Sequence, residues 1–263
     1  MSSSERCSAS LPRARRQRGI ALVELLVGLA VGMLVVVAAT GSVLLSRGMA
    51  STVSELSQLH LQGAHALRVI GRQVRQAGAR DIRANPATGR YAIADFSGFD
   101  AQGRIVVGTD GAPGQADQLS VSHQPASAMA STQRDCLGAL VTSGHADSTF
   151  QVVGADLRCR TGTAAQPMTG NVADFQLRYR VTTPGGTRSL PATEVQAGGL
   201  WPAVSAIEVC LDLQSRRSDY GDLGSYRTCG RDADGSFASA PRAGRLHVVL
   251  RNVFDIRASE GAP

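Results

Sequence analysis

A chain of 263 residues with 43 % hydrophobic but only 4 % aromatic residues, and with 29 glycines, has room for one sizeable domain plus a long appendage, cored by Val, Leu and Ile. All 27 basic residues are arginine, and the formal charge of +6 gathers at the start: residues 1–19 hold five Arg against Glu5, leaving 22 Arg against 20 acids in the rest. A body so near neutrality, without aromatics interleaved among its arginines, is not built to bind nucleic acid directly.

The first element in chain order is apolar. From Leu25 to Ser46 there are 22 residues without a charge, and about 20 such residues cross a bilayer core as a helix. Arg6, Arg13, Arg15, Arg16 and Arg18 precede the run, and Arg47 alone follows it. That asymmetry holds the start of the chain in the cytoplasm and sends the remainder outward. The run begins at Ile20 and is interrupted at once by Glu24. A carboxylate inside a membrane helix costs roughly 2.5–3.5 kcal/mol on insertion scales, so Glu24 needs a partner or a place near the headgroups. Gly28 and Gly32 add a GxxxG spacing that permits close helix approach.

The string RQRG-IALVELLVGLAVGMLVV resembles the class III signal of type IV prepilins: a basic leader, Gly, an apolar stretch, and Glu at the fifth residue after the cut. Ile20 stands where that family most often has Phe or Met. The resemblance implies that prepilin peptidase cuts between Gly19 and Ile20 and methylates the new amine of Ile20. It also implies that Glu24 pairs in assembly with the N-terminal amine of a neighbouring subunit. Two buried opposite charges offset each other's desolvation only if they meet. Val37-Ala38-Ala39 also satisfies the small-residue rule of an ordinary signal peptidase, so an exported periplasmic protein is an alternative expectation.

Past Arg47 the pattern turns amphipathic. Met49, Val53, Leu56, Leu59, Gly63, Leu67, Ile70, Val74 and Ala77 recur at steps of three and four, between polar residues that include Glu55, Arg68, Arg72 and Arg75. Gly78 is a plausible stop, and Asn85-Pro86 ends the regular stretch. One helix from Ile20 to Gln76 would be about 85 Å long at 1.5 Å per residue. The expected division is residues 1–19 as a cytoplasmic leader, 20–46 as the transmembrane half-helix, 47–78 as the amphipathic half, and 79–263 as a β-rich periplasmic head.

Within the head, Asp174–Val181, Ile207–Leu213 and Leu246–Arg251 alternate apolar and polar residues and predict strands. Arg104–Val107, Gln118–His123, Thr149–Val153 and Ala155–Arg160 are weaker candidates, with loops at Thr109–Ala116 and Asp232–Ala240. One-sided alternation predicts an antiparallel sheet with one wet face, its other face covered by the amphipathic helix. The expected fold class is therefore α+β. Cys7 falls in the leader, leaving Cys136, Cys159, Cys210 and Cys229 with no C-x-x-C pair and no His cluster. Zinc binding is not expected, and two disulfides are, with three connectivities open. The nearest-neighbour pairing, Cys136–Cys159 and Cys210–Cys229, is the expectation. The segments between hold turn residues (Ser143-Gly144, Gly221, Gly224), and the closed loops of 22 and 18 residues would each stabilise by roughly 3 kcal/mol.

No HExxH, GxSxG, P-loop or Cys-His nucleophile pattern occurs, and His60, His65, His123, His145 and His247 are scattered. Asp232-Ala-Asp234-Gly235 lacks the remaining oxygens of a calcium loop. No catalytic residue, cofactor or metal is expected. The head also resembles PilW-type minor pilins, through LQGAHALRVIGRQVRQAG, the segment DCLGALVTSGHADSTFQVVGADLRC, the strand FQLRYRV, and Trp201 before VSAIEVCLDLQSR. That resemblance implies a structural subunit of a type IV pilus, anchored in the inner membrane and then built into the fibre. Its partners would be other minor pilins and the major pilin, prepilin peptidase, the assembly platform and membrane lipid. Type II secretion pseudopilins share the same plan.

Overall fold

The computed structural model describes residues 22–93, 104–125, 133–141, 144–232 and 234–256. The leader, Gly19, Ile20, Cys7 and Ser143 lie outside the described residues. The chain forms two compact units, Met1–Thr52 and Val53–Pro263. Helix α1 spans Leu22–Gln76, with Glu24 in its first turn.

In the first unit the large apolar side chains are exposed, Leu22 at 74 % and Val37 at 69 % among them. An 18-residue window here has a mean hydropathy of 2.6 and no burial, so the segment is long and apolar enough to cross a membrane. Its hydroxyls turn back on the helix: Thr40 Oγ1 donates to the Val36 carbonyl at 2.9 Å, and Ser42 Oγ to Ala39 at 2.8 Å. Such bonds leave no hydroxyl hydrogen unsatisfied in an apolar surrounding.

In the second unit α1 is amphipathic. Leu59, Ala66, Leu67, Ile70, Val74 and Ala77 are buried in the head core. The sequence pattern had the buried stripe starting at Met49; instead Met49 and Val53 are 68 % and 63 % exposed, and burial begins with Leu56 and Leu59. The helix stops at Gly78, whose positive φ of 74° suits glycine and whose N–H donates to the Ser122 carbonyl at 2.8 Å.

The strands are β1 (Ile82–Ala84), β2 (Tyr91–Ile93), β3 (Val106–Thr109), β4 (Gln118–His123), β5 (Ala146–Val153), β6 (Asp156–Thr161), β7 (Ala164–Thr169), β8 (Val172–Thr183), β9 (Gly186–Leu190), β10 (Val204–Gln214), β11 (Ser225–Arg231), β12 (Phe237–Pro241) and β13 (His247–Asp255). They form a four-stranded sheet in the order β13-β10-β8-β9, a five-stranded sheet β3-β4-β5-β6-β7, and the two ribbons β1-β2 and β11-β12, every pairing antiparallel. The short helix α2 (Ala192–Ala197) and the 3-10 turn Trp201–Ala203 return the chain from the edge strand β9 to β10.

The fold is thus α+β, a long helix followed by antiparallel sheets, with two corrections. The described strands make two main sheets around one core, where a single sheet was expected. The outer face of the four-stranded sheet is also not simply wet. Cys210 and Asp212, which point away from Ile207, Val209 and Leu211, are 4 % and 1 % exposed, and β11 with β12 accounts for it. Asp232–Ala240, read as loop, contains most of β12, and Cys229, for which no strand was predicted, lies on β11.

At the core centre Tyr179 is fully buried and meets Trp201 edge-on at 5.1 Å. Its hydroxyl has no hydrogen-bond partner and abuts Gly108, where any Cβ would overlap it. Burial, with Asp117 and Asp110 nearby, holds that hydroxyl well above the usual tyrosine range. An unpaired buried hydroxyl stabilises nothing. Tyr179→Phe is therefore expected to leave the melting temperature unchanged or raise it slightly. A loss worth more than about 1 kcal/mol in thermal unfolding would reveal a hydrogen bond at that oxygen.

Candidate assembly site

The candidate site has two parts, one in each unit. In the first, Glu24 is the sole charged residue between Leu22 and Ser46 and makes no hydrogen bond or ion pair with any described residue. Gly28 and Gly32 follow on the same helical face, and a Cβ at either would meet nothing within 4 Å. A smooth apolar surface therefore runs from the carboxylate, with nothing among the described residues to satisfy it.

In the second unit, three devices fix how α1 sits on its sheet. Gly63 and Gly71 face β13 so closely that a Cβ would overlap Leu250 at the first and the Phe254 ring at the second. Glu55 accepts a bond from the Arg216 N–H at 3.2 Å and another from the Tyr220 hydroxyl. Gln73, fully buried, donates to the Arg134 carbonyl at 3.0 Å and accepts from Ser148 Oγ at 3.3 Å. The sequence reading placed Glu55 among the outward polar residues and did not single out Gln73 or Tyr220. Nothing local to them signals partners 61 to 165 residues away.

Cys136 and Cys159 are disulfide-linked with their Cα atoms 6.2 Å apart, and Cys210 and Cys229 with theirs 5.6 Å apart. The second bond ties the β11-β12 ribbon to β10, and side chains complete the attachment. Arg231 and Arg251 sandwich the Phe237 ring at 4.3 and 3.9 Å, Arg231 bridges to Glu208 at 2.5 Å, and the Tyr226 hydroxyl donates to Asp212 at 2.8 Å. His247 stacks on Tyr226 at 4.1 Å and sets its Nδ1 3.1 Å from Asp212. Burial and the Asp212 carboxylate push the Tyr226 hydroxyl far up, and burial raises Asp174, which lies opposite Asp212 in the register. These groups hold the ribbon in place. Asp110, which the sequence left in a solvated loop, accepts from the Ala192 and Thr193 N–H groups at the start of α2. Asp234 closes the turn before β12 by accepting from the Ser236 N–H. No group of three or more metal-binding side chains comes together among the described residues.

Two buried groups give the head a pH dependence of opposing sign. His123 is fully buried, and neither ring nitrogen has a partner; burial pushes its pKa down, although the carboxylates of Asp135 and Asp147 pull the other way. The unfolded chain then binds a proton more readily below pH 6.5 than the folded one, so stability falls as the pH drops through that point. Asp117 is raised from 3.8 to about 6 by burial, partly countered by the N–H groups of Gly111 and Leu177. Its folded form takes up the extra proton, so its contribution recovers as the pH falls from about 6 toward 4. His123→Leu should flatten the acid-side decline: its melting temperature should drop less between pH 7.5 and 5.5 than that of the wild type. An identical drop would show that other groups set the acid limit.

By comparison with known proteins, the prokaryotic N-terminal methylation motif matches residues 14–40. No curated protein sequence is similar to the chain. Among solved structures, a type IV-like pilin from Thermus thermophilus is similar over 78 % of this chain and 95 % of its own, with 15 % identity and a TM-score of 0.46. A chain of the GspK-GspI-GspJ complex from the enterotoxigenic Escherichia coli type 2 secretion system is similar over 76 % of this chain and 97 % of its own, with 6 % identity and a TM-score of 0.37. The chain thus joins a prokaryotic N-terminal methylation motif to a long apolar helix followed by antiparallel sheets.

Proposed function

We propose that this chain is a minor pilin of the PilW type, a structural subunit that helps initiate or extend a type IV pilus. The observation that carries the reading is Glu24, a carboxylate without a partner among the described residues, opening an otherwise uncharged span after a basic leader that ends in Gly19. Prepilin peptidase would cut between Gly19 and Ile20 and methylate Ile20. The mature chain would stand in the inner membrane with its head in the periplasm, a compartment that suits the two disulfides. The assembly platform and the other pilins would be its partners. The head's buried polar groups brace strands and loops, and an assembly role asks no more of them.

Intact-mass measurement of the membrane-extracted chain tests the first step. A mature N-terminus at methylated Ile20 is expected, and Gly19→Val should leave the whole leader attached. A chain beginning at Thr40 would instead assign it to ordinary export. Isolation of the fibre that contains the processed chain then separates a pilus from a secretion pseudopilus.

A further inference from the structure

We infer that the outward stripe of α1 in the head docks a helix of a different subunit, one that presents carboxylates opposite Arg68, Arg72 and Arg75. The inference rests on the filament-subunit reading above and names the chemistry of the neighbour. Ser57, Leu61, Ala64, Arg68, Arg72 and Arg75 step by three and four along α1, and all six are exposed. Leu61 is 71 % exposed, far from the core that holds Leu59 and Leu67.

The upper half of the stripe is a row of like charges. Arg68 and Arg72 stand four residues apart, a spacing at which like charges repel on a helix. Among the described residues no carboxylate comes within ion-pair distance of any of the three. Arg72 donates only to the Asp135 carbonyl, at 3.4 Å, and Arg75 lies over the Phe254 ring at 5.6 Å. The one carboxylate between Val53 and Gln76 is Glu55, and it is turned into the head by Arg216 and Tyr220. Among the described residues, neither the Arg72 contact nor the Arg75 contact offsets the like charge gathered here; an acidic partner would.

The lower half selects the kind of partner. Ser57 and Ala64 are small and flank the bare Leu61, so another backbone can approach closely and cover it. A helix running alongside meets both halves at once, its apolar residues on Leu61 and its carboxylates on the arginines. A phosphate backbone would engage the arginines and leave Leu61 in water. A second copy fits poorly, because copies inserted in the same direction set arginine against arginine, and the head half of α1 offers no carboxylate but Glu55. The stripe therefore favours a mixed neighbour over self-stacking.

The test is photo-crosslinking of the full-length chain in its own membrane, with a photoreactive side chain in place of Ala64. The expected adduct joins it to another subunit with a prepilin-type N-terminus, through a peptide bearing Asp or Glu at three- and four-residue spacing. In the Arg68→Glu/Arg72→Glu/Arg75→Glu variant the adduct should fall tenfold or more. It should return when those carboxylates of the captured peptide are changed to Arg. Melting temperature and processing must match the wild type; otherwise the milder Arg→Gln triple variant replaces the reversal. An adduct chiefly with itself, with lipid or with nucleic acid, an adduct indifferent to charge reversal, or none at all overturns the inference. A charge-indifferent result alongside correct cleavage after Gly19 defeats only the docking inference, whereas absence of that cleavage defeats the filament reading itself.

Discussion

Glu24→Ala is expected to leave the chain fully inserted in the membrane and to cut its incorporation into filaments a hundredfold or more. Removing a carboxylate from a 22-residue uncharged surrounding eases insertion by roughly 2.5–3.5 kcal/mol, so a lost anchor cannot explain a loss of assembly. What disappears, on the proposed filament reading, is the carboxylate that would neutralise a cation arriving from a neighbour. Breaking a buried ion pair from one side costs about 3–5 kcal/mol, or roughly two to nearly four orders of magnitude in the association constant. Glu24→Gln retains a hydrogen-bonding group without the charge and should recover only part of the loss. Counting the variant in sheared filaments against the amount in the membrane decides the matter. Wild-type incorporation of Glu24→Ala would mean that the carboxylate merely sits among the headgroups.

The head should respond as sharply to Gly71→Val. A Cβ at Gly71 overlaps the Phe254 ring, and the ring is itself 5 % exposed, with Arg75 one helical turn further on lying over it. Either α1 lifts from β13 or Phe254 leaves its place. Overpacking of this kind costs about 1–3 kcal/mol, and lifting the helix also opens the contacts of Ile70 and Val74. A melting temperature lower by roughly 5–10 °C is expected for a domain of this size. Gly28→Val and Gly32→Val, where a Cβ meets nothing within 4 Å, should leave the head's melting unchanged. If Gly71→Val melts like the wild type, the helix does not lie this close to β13.

The same residues show what was legible beforehand. The head half of α1 could be read because its buried positions recur every three or four residues without a proline, and because Gly78 closes it. Strands β8, β10 and β13 could be read because one face of each looks into the core and is mainly apolar, Asn252 beyond the predicted stretch of β13 being an exception. Strands β7, β9, β11 and β12 carry no such alternation. Strand β7 contains Pro167, which an edge strand tolerates. Phe237 in β12 is held by two arginines from β11 and β13, an arrangement invisible to a short window of sequence. The assembly site divides the same way. Glu24 announces itself locally, as a charge among apolar neighbours. The lack of a carboxylate beside Arg68, Arg72 and Arg75 does not, because it depends on which distant strands and loops the fold brings next to that face of α1.

The clasp on Glu55 has a mechanical meaning. Within the head the helix is gripped near its beginning, by Tyr220 and the Arg216 N–H, and at its end, where the Gly78 N–H meets Ser122. Between those grips Gly63 and Gly71 seat it against Leu250 and Phe254. A pull along the helix axis therefore loads both grips and the seated face together, in shear, and cannot peel the contacts away singly from one end. Two anchors in parallel divide the load, so the head is built to be dragged by its helix without the helix being drawn out of it.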